Sequence, residues 1–428
     1  MLLIQKGIIV DPRSKKEMVA DILTEGKRIK KIGQNLSDSL SESELRTVIT
    51  IDAEGKYILP GLVDVHVHFR DPGFTYKEDI ISGAKAAAKG GVTTVVLMAN
   101  TKPAVDNALT LEYVLKKGRE TGIHVMTCAA ITLGMKGEEL VPMAELKAAG
   151  AKGFTDDGVP VLNESLVRRA METAKNLQVP LSFHEEDPAY IKNNGINAGK
   201  AAAYYGIGGS KRDAEISLVK RDLELAIETG ACVNIQHIST REAVKLVRQA
   251  LDKGGDVHAE ATPHHIALTE EAAIKYKTFA KMNPPLREEE DRQAIINALL
   301  DGTIDLIATD HAPHSAEEKA KAITDAPSGI IGLETALCIC YEELVKKAGM
   351  SMPVLMEKMA LNPAKLYHLD AGYIAEEGPA DLCIFDTKAV WTPKVFVSRS
   401  QNSPFKGQEL KGVVEYTIAD GEIIYKNQ

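Results

Sequence analysis

Cysteine is scarce in this chain, and its spacing excludes a scaffold held together by disulfide bonds. The five cysteines among the 428 residues are Cys128, Cys232, Cys338, Cys340 and Cys383, and none of them forms a C-x-x-C pair. Small disulfide-stabilised domains have a denser and more regular cysteine framework. The cysteine content therefore favours a reducing compartment, and we expect a cytoplasmic protein.

Long apolar runs and an excess of positive charge are also missing. No stretch reaches the roughly 18 apolar residues that a membrane-spanning helix needs. The first residues, MLLIQKGIIVDP, lack the basic and apolar segments of a secretion signal. The formal net charge of −9 disfavours a non-specific nucleic-acid surface. We therefore expect neither a membrane nor a nucleic acid among the partners.

Both ends of the chain are predicted to form β-strands. Apolar and polar residues alternate in LLIQKGIIV, ADILTEGKRIKKIG and TVITIDAEGKYIL near the start, and in ADLCIFD, KVFVSR and GVVEYTIADGEIIYK near the end. Asp420-Gly421, between two alternating runs, predicts a two-residue hairpin turn. We expect one small β-domain assembled from residues 1–56 and 365–428.

The middle of the chain, residues 57–364, is predicted to form a (β/α)8 barrel. Short apolar runs alternate there with amphipathic helical stretches, some of which end at Gly-Gly. The predicted strands cover residues 63–69, 93–98, 124–131, 151–155, 180–185, 232–238, 256–262 and 305–310. This is the pattern of a parallel barrel, although an open doubly wound sheet has the same local pattern. The predicted fold class is α/β, a TIM barrel with a small β-domain.

Histidine and aspartate residues stand at the ends of the predicted strands. His66 and His68 lie two apart on one strand, so both side chains point to the same face. His184, His237 and Asp310 close later strands. Each alone is more often an ordinary hydrogen-bonded residue than a ligand, but the carboxyl ends of barrel strands meet at one rim. Together they predict a metal site whose nitrogen and oxygen ligands suit zinc in a hydrolytic role, with manganese or cobalt as substitutes.

Sequence motifs along nearly the whole chain resemble those of one enzyme family. The segment PGLVDVHVHFRDPG is similar to the signature of the amidohydrolase superfamily, and its last four residues resemble the dihydroorotase branch. The further segments that resemble this branch, in the same order, are MANTKPAVDN, FTDDG, HEED, QHIST, TPHH, MNPPLR, ATDHAPH and SGIIGLET. The resemblance is greatest to long-chain bacterial dihydroorotases. It implies the reversible, zinc-dependent cyclisation of N-carbamoyl-L-aspartate to L-dihydroorotate in pyrimidine (UMP) biosynthesis.

The same resemblance implies a metal site with two zinc ions. The residues implied as ligands are His66, His68, Asp157, His184, His237 and Asp310. The first two histidines would hold one zinc and the other two the second, and Asp310 is also implied as the proton carrier. Many members of the superfamily bridge their metals with a carboxylated lysine. An aspartate of FTDDG is expected in that place here, and Asp157 matches it best, with Lys152 as the alternative.

A substrate pocket is implied beside the metals. The residues implied to bind substrate are His68, Arg70, Asn100, Asn283, His314, Ser328 and Gly329. Dihydroorotate carries a carboxylate on a small polar ring, and the guanidinium of Arg70 can bind a carboxylate bidentately. Gly329 would let the ring approach the backbone. Arg287, in MNPPLR, is expected to be a surface charge of a loop.

The same motifs allow other interpretations of the function. Dihydropyrimidinase (hydantoinase) and allantoinase share the metal core, but they usually have the carboxylated lysine and need no group that binds a ring carboxylate. A non-catalytic structural partner of aspartate transcarbamoylase is disfavoured because no implied metal ligand is missing. The resemblance also implies a homodimer, and an association of the active enzyme with aspartate transcarbamoylase stays open.

Overall fold

The strands of the protein form two structures: one sheet whose strands come from both ends of the chain, and one closed barrel of parallel strands. The computed structural model describes residues 1–427. In chain order the strands are β1 (Leu2–Asp11), β2 (Lys16–Glu25), β3 (Arg28–Gly33), β4 (Ile49–Asp52), β5 (Tyr57–Pro60), β6 (Leu62–Val67), β7 (Val92–Leu97), β8 (His124–Thr127), β9 (Leu181–Phe183), β10 (Val233–Ile235), β11 (Val257–Ala261), β12 (Leu306–Ile307), β13 (Leu382–Trp391), β14 (Leu410–Ala419) and β15 (Glu422–Lys426).

An eight-stranded sheet joins the two ends of the chain. Its order is β15-β14-β13-β5-β1-β2-β3, and β4 also pairs with β1. β13 runs antiparallel to β5, so a strand from the end of the chain lies beside one from the beginning. Ile4, Ile22 and Ile58 are among the apolar side chains buried in its core. The β-domain assembled from both ends is thus present; the limits 1–56, 57–364 and 365–428 stay a prediction, and Gln428 lies outside the described residues.

Two of the predictions near the end of the chain, the hairpin at Asp420-Gly421 and the strand KVFVSR, had opposite outcomes. Asp420 and Gly421 separate β14 from β15 and have φ values of 51° and 74°, as a tight hairpin turn requires. The segment 394–399, KVFVSR, forms no strand, so that prediction was wrong. Val395 is 70% exposed there, and the Arg399 guanidinium donates to the Thr75 carbonyl and the Asp79 carboxylate. These contacts hold the segment against the loop before a barrel helix instead of against a neighbouring strand.

The middle of the chain closes into a barrel of parallel strands. β6, β7 and β8 are neighbours, and β9, β10, β11 and β12 follow one another in the same way. Phe154 bridges the two groups through Ala129 and Leu181, and Val67 pairs with His311 to close the ring. Because the first and eighth positions are paired, the open doubly wound sheet is excluded and the predicted barrel is confirmed.

The fourth barrel position is shorter than the strand predicted at residues 151–155. Only Phe154 makes bridges to both neighbours. Gly150, before it, has a φ of 114°, and the carbonyl of Asp156, after it, accepts from the Val159 amide in a turn. The backbone therefore stays extended for only a few residues, and the turn brings Asp156 and Asp157 to the rim directly.

Helices surround the ring of strands. The α-helices are α1 (Glu42–Leu45), α2 (Ile80–Lys89), α3 (Ala108–Gly118), α4 (Met143–Ala148), α5 (Glu164–Leu177), α6 (Lys200–Tyr205), α7 (Asp213–Thr229), α8 (Arg241–Asp252), α9 (Pro263–Ala267), α10 (Glu271–Tyr276), α11 (Glu289–Asp301), α12 (Ala316–Lys319), α13 (Ala336–Cys340), α14 (Met352–Met356) and α15 (Asn362–Leu366). Short 3₁₀ helices cover Leu36–Ser39, Leu133–Met135, Pro188–Tyr190 and Lys277–Ala280, and π-helical turns cover Tyr341–Lys347 and Glu357–Leu361.

The helices that follow the strands begin at side chains that cap them. Asp79, Asn107, Asn163 and Thr240 each accept a hydrogen bond from a backbone amide in the first turn of the next helix. The inward faces of these helices pack on the strands in one large apolar core. Among the described residues, none of the helices combines the length and the apolar character needed to cross a membrane.

Candidate active site

Six side chains meet at the carboxyl-terminal rim of the barrel. They are His66 in β6, His68 just after it, Asp157 after the Phe154 bridge, His184 after β9, His237 after β10 and Asp310 after β12. All six residues are buried, with at most 6% of their surface exposed. The structure thus brings together all the residues that the sequence predicted as metal ligands.

The ligand atoms of these residues form two groups that share the Asp157 carboxylate. His66 Nε2 lies 3.4 Å from Asp157 Oδ1 and 3.5 Å from Asp310 Oδ1. His68 Nε2 lies 2.9 Å from Asp310 Oδ1 and 3.5 Å from Asp157 Oδ2. On the other side of Asp157, its Oδ1 lies 3.7 Å from His184 Nδ1 and 3.8 Å from His237 Nε2. Asp157 therefore stands between both pairs of histidines.

Backbone strain accompanies three of the side chains at this rim. Arg70, His237 and Asp310 have φ values of 53°, 34° and 46°, a region that residues other than glycine rarely adopt. Each such residue costs on the order of 1–3 kcal/mol and persists only where its surroundings hold it in place. Backbone strain of this kind clusters at functional sites. Here all three strained residues line the same cavity at the rim.

A second layer of polar groups orients the histidine rings. Glu260 Oε2 lies 3.0 Å from His66 Nδ1, Asn100 Oδ1 lies 2.9 Å from His68 Nδ1, and Glu186 Oε2 lies 3.3 Å from His184 Nε2. Each contact occupies one ring nitrogen and leaves the other directed at the centre. Metal-binding histidines in proteins are usually held in this way.

The charges at the centre stabilise one another strongly. Burial lowers the pKa of His66, but the carboxylates of Asp310, Asp157 and Glu260 outweigh it and raise the pKa well above its ordinary value. Burial alone would raise the pKa of Asp157, yet the charge and hydrogen bonds of the surrounding histidines lower it well below the usual range. The pKa of Asp310 is lowered in the same way, mainly by His66 and His68. The centre is thus a compact arrangement of anionic carboxylates and imidazoles.

The donor set fits a divalent metal ion. Three overlapping groups of ligand atoms lie within 4.8 Å of one another: His66, His68 and Asp157; His66, His237 and Asp310; and Asp157, His184 and His237. His66 Nε2 is buried and has no hydrogen-bond partner within residues 1–427. Leaving a buried polar atom unpaired is costly, and coordination of a metal would satisfy it. Nitrogen and oxygen donors without sulfur are typical of hydrolytic zinc sites.

A cavity of about 210 Å³ opens directly on this centre. Its lining includes residues that the sequence predicted to bind substrate: His68, Arg70, Asn100, Asn283, His314 and Ser328. Gly329 follows Ser328, with a φ of 154°, and a Cβ atom there would lie 2.6 Å from the Ala312 carbonyl oxygen and 2.7 Å from His314 Cδ2. Only glycine fits at this wall of the cavity without displacing a neighbour.

Arg70 and His314 form the basic side of the cavity. Arg70 Nε donates to the Pro313 carbonyl at 3.3 Å, and its Nη2 lies 3.4 Å from His314 Nε2. The other ring nitrogen of His314 lies 3.3 Å from Lys77 Nζ. Burial and the charges of Arg70 and Lys77 lower the pKa of His314 far below its ordinary value, so the ring is neutral. The hydrogen-bond partners of Arg70, the Pro313 carbonyl and the neutral His314 ring, carry no negative charge. The guanidinium can therefore still pair with an anion.

The two asparagines of the cavity differ in their contacts. Asn100 Nδ2 donates to the side chain of Asp157 at 3.0 Å while its Oδ1 lies 2.9 Å from His68 Nδ1, so Asn100 links these two residues. Asn283 Oδ1 is buried without a hydrogen-bond partner in the described part of the chain. The first amide is thus engaged with two side chains of the rim, whereas the second has an acceptor free for another molecule.

Lys152 lies away from the centre, on the opposite end of the barrel. It lines a separate cavity together with Lys147, Gln178 and His368. The alternative in which a carboxylated Lys152 takes the place of Asp157 is therefore wrong for this chain. The side chains at residues 152 and 157 face different ends because Phe154 and the turn at Asp156 lie between them.

Some residues of the site were missed or misjudged in the sequence. Arg287 is 2% exposed, so the expectation of a surface charge was wrong. Its guanidinium donates to Ser239 Oγ and Asn197 Oδ1, and it holds the segment after His184 against the rim. Glu260 and Glu186 were not singled out, although Glu260, a glutamate inside the strand predicted at residues 256–262, is a detectable signal of an inward polar role.

Comparison with known proteins supports one family. A family model described as Dihydro-orotase-like matches residues 55–243. A Clostridioides difficile protein named dihydroorotase is 54% identical over 425 residues, which cover 99% of this chain and 100% of that protein. Dihydroorotases of Clostridium acetobutylicum and Lactococcus lactis are each 47% identical, over 100% and 99% of both chains respectively.

The chain belongs to the dihydroorotase family. This confirms the resemblance inferred from the motifs. Solved structures of other cyclic amidohydrolases have the same fold as this dihydroorotase family member. An L-hydantoinase from Arthrobacter aurescens matches with a TM-score of 0.88 at 24% identity, covering 99% of this chain and 96% of that one. A dihydropyrimidinase from Brevibacillus agri matches with a TM-score of 0.85 at 22% identity, covering 99% and 95%. At such identities the likeness concerns the barrel and the β-domain only.

Proposed function

We propose that this protein catalyses the reversible ring closure of N-carbamoyl-L-aspartate to L-dihydroorotate, a step of pyrimidine (UMP) biosynthesis. Its family membership supports a cyclic amide hydrolase. The observation that carries the substrate assignment is the partly buried Arg70 guanidinium on the wall of the cavity that also contains Asp157 and Asp310. A substrate with a carboxylate on its ring would complete the bonding of Arg70.

The charge of Arg70 favours an anionic substrate. Burial lowers its pKa below the ordinary value, and the more distant Asp310 and Asp157 only partly oppose this. Its hydrogen bonds go to Pro313 and His314, which carry no negative charge. A buried cation is stable when a charged partner satisfies it, and a guanidinium binds a carboxylate through two parallel bonds. Dihydroorotate has such a carboxylate, whereas dihydrouracil and allantoin do not.

The six rim residues are proposed to hold two zinc ions. His66 and His68 would bind one, His184 and His237 the other, with Asp157 between them and Asp310 beside the first pair. When bound, the metals would supply Lewis-acid activation of water and of the amide carbonyl. The distances within the cluster and the unpaired Nε2 atom of His66 support this assignment. The identity and number of the ions are part of the proposal.

Asp310 is proposed to move the proton. It is ionised, because the neighbouring histidines hold the pKa of its carboxyl low, so it begins as an acceptor. In hydrolysis a water oxygen bonds to the amide carbon, Asp310 takes the proton of that water, and the ring nitrogen receives it as the carbon–nitrogen bond breaks. In ring closure the same carboxylate works in the reverse order. Its position in the cavity wall gives it access to both atoms.

The remaining cavity residues are proposed to position the substrate. Arg70 and His314 would bind the carboxylate, and the free Oδ1 atom of Asn283 would accept a ring N–H. Backbone groups near Ser328 and Gly329 would meet the ring edge, where the absence of a side chain leaves room. His68 and Asn100 face the same volume from the metal side. Holding the reactants in one orientation lowers the barrier by several kcal/mol in general.

A comparison of three substrates tests the proposal. Turnover of dihydroorotate, dihydrouracil and allantoin is measured on metal-stripped protein and after zinc is restored. We expect activity that depends on added metal and is highest with dihydroorotate. Preference for dihydrouracil or allantoin would instead indicate a dihydropyrimidinase or an allantoinase. Activity untouched by metal removal would contradict the metal assignment.

Assembly and location also stay predictions. We propose a homodimer in the cytoplasm, and association with aspartate transcarbamoylase as a further property of the active enzyme. Gel filtration of the protein alone tests the dimer, and gel filtration with the transcarbamoylase tests the association. Elution of the protein at the size of a single chain would contradict the dimer, and independent elution of the two enzymes would contradict the association.

A further inference from the structure

A second cluster of metal-ligand side chains lies at the amino-terminal end of the barrel, opposite the candidate active site. Cys232 precedes β10, and Asp256 and His258 flank the first residue of β11. In the parallel pairing of these strands Asn234 stands opposite His258. Residues two apart on a strand share a face, so Cys232, Asp256 and His258 are all presented on the same side. One ligand atom from each lies within 4.8 Å of the others.

The ring of His258 is held as in a metal site. Its Nδ1 atom lies 2.6 Å from Asp305 Oδ2, and the other oxygen of Asp305 accepts from the Ala259 amide at 3.1 Å. Nε2 is thereby directed toward the cluster, 3.7 Å from Asp256 Oδ1. A carboxylate behind a histidine is the usual arrangement around a bound metal ion, because it fixes the ring and raises the basicity of the ligand nitrogen.

The cluster is open to ligands. Cys232, Asp256 and His258 line a cavity of about 410 Å³ between the strand ends and the segment of Lys365 and His368. Asp256 is exposed, and the other two residues are partly exposed. A small ion can therefore reach all three side chains, and the cavity leaves room for a further ligand.

We propose that Cys232, Asp256 and His258 form a third, peripheral metal site that binds a zinc-like divalent cation through one sulfur, one oxygen and one nitrogen atom. A thiolate with an imidazole selects zinc, cobalt or cadmium over magnesium and calcium, which prefer oxygen ligands alone. With three protein ligands the fourth position faces the cavity and takes water or a small molecule. This site is independent of the reaction proposed above.

The charges of the cluster are compatible with a bound cation. Burial lowers the pKa of His258, but its hydrogen bonds to Asp305 and Cys232 raise it to about 10. The carboxylates of Asp256 and Asp305 lie 3.7 Å and 2.6 Å from the two nitrogens of the His258 ring, so the cluster is rich in acidic groups. A divalent ion bound at Nε2 would take the place of a proton on that atom and would face the same acidic groups.

Cobalt absorption tests the site separately from activity. The proposed ligands of the active site contain no sulfur, so a thiolate-to-cobalt charge-transfer band reports only on cobalt bound to cysteine. We expect this band when Co²⁺ is added to the metal-stripped enzyme, with an intensity at saturation that corresponds to one thiolate-bound cobalt per chain. Cys232→Ser should abolish it, and Cys128→Ser, at another cysteine of the barrel interior, should keep it. A wild-type spectrum without the band, or a band that survives in Cys232→Ser, would overturn the proposal.

Variants of the acidic residues separate binding from misfolding. The Asp256 side chain is 62% exposed, so Asp256→Asn leaves the core intact and should weaken cobalt binding at least tenfold. Asp305→Asn exchanges the carboxylate behind His258 for an amide, whose oxygen can still accept from the Ala259 amide, and it should weaken cobalt binding by about 10- to 100-fold. Metal analysis should find one ion fewer per chain in Cys232→Ser, with turnover of dihydroorotate retained. Wild-type cobalt affinity in both aspartate variants would refute the site.

Discussion

The substitution Glu260→Gln isolates the contribution of the second layer to metal binding. Glu260 is fully buried, with Oε2 lying 3.0 Å from His66 Nδ1 and Oε1 accepting from Asn234 Nδ2 at 2.5 Å. When His66 Nε2 binds a metal, Nδ1 carries its proton, so both partners of Glu260 are donors. Glutamine has one oxygen and one NH₂ group, so only one of the two donors keeps an oxygen partner, and the negative charge beside His66 is lost in either orientation.

The magnitude follows from the hydrogen bond that is lost. A charge-assisted hydrogen bond contributes about 1.5–3 kcal/mol, and each 1.4 kcal/mol corresponds to about a factor of ten. We therefore expect Glu260→Gln to bind zinc about 10- to 100-fold more weakly, as second-layer substitutions generally do. Because Glu260 does not line the cavity, excess zinc should restore much of the turnover. The zinc dissociation constant is measured by competition with a chelator, and turnover at fixed free zinc.

Glu270→Gln is the matched control. Glu270 is also buried, but a single oxygen, Oε2, accepts from both Asn197 Nδ2 and the Ala201 amide. The amide oxygen of glutamine can replace it, so zinc affinity should stay at the wild-type value. If Glu260→Gln bound zinc as tightly as this control, the orienting role of Glu260 would be refuted.

Three further substitutions test the reaction and the pocket. Asp310→Asn should lower kcat by about 100- to 10,000-fold, and near-normal turnover would remove Asp310 as the proton carrier. Arg70→Met should lower kcat/KM about 10- to 100-fold for dihydroorotate; an equal loss with dihydrouracil would contradict a carboxylate contact. Gly329→Ala places a Cβ atom 2.6 Å from the Ala312 carbonyl oxygen and 2.7 Å from His314 Cδ2, so KM should rise. An unchanged KM for that variant would contradict the proposed role of Gly329, because it would show that the neighbouring groups move aside without affecting substrate binding.

Much of the site was predictable because strand geometry determines which side chains share a face and which strand ends meet. The spacing of two between His66 and His68 places both rings on one face, and barrel topology brings the strand ends of His184, His237 and Asp310 to one rim. The β-domain was predictable for the same reason, since alternating patterns at both ends need a common core. The structure brings these residues together as expected, while their roles as ligands stay predictions.

Other features depend on contacts that local patterns do not contain. The segment 394–399 alternates like a strand, but its partners, Thr75 and Asp79, are distant in sequence. Arg287 resembles a loop charge until the segment after His184 folds over it. Lys152 and Asp157 were both candidates because sequence order does not show which end of the barrel a short, turn-bounded strand directs each side chain to. Tertiary placement decides all three.

The central position of β5 in the sheet that joins the two ends of the chain has a consequence for synthesis of the chain. β5 lies between β1 and β13, and β13 begins only at Leu382. While a ribosome is still making the barrel, one side of β5 presents unpaired backbone groups next to apolar side chains such as Leu59. Such an edge readily pairs with foreign strands. Nascent chains and premature stop products that lack the last 47 residues, 382–428, are therefore expected to aggregate, even with every active-site residue in place.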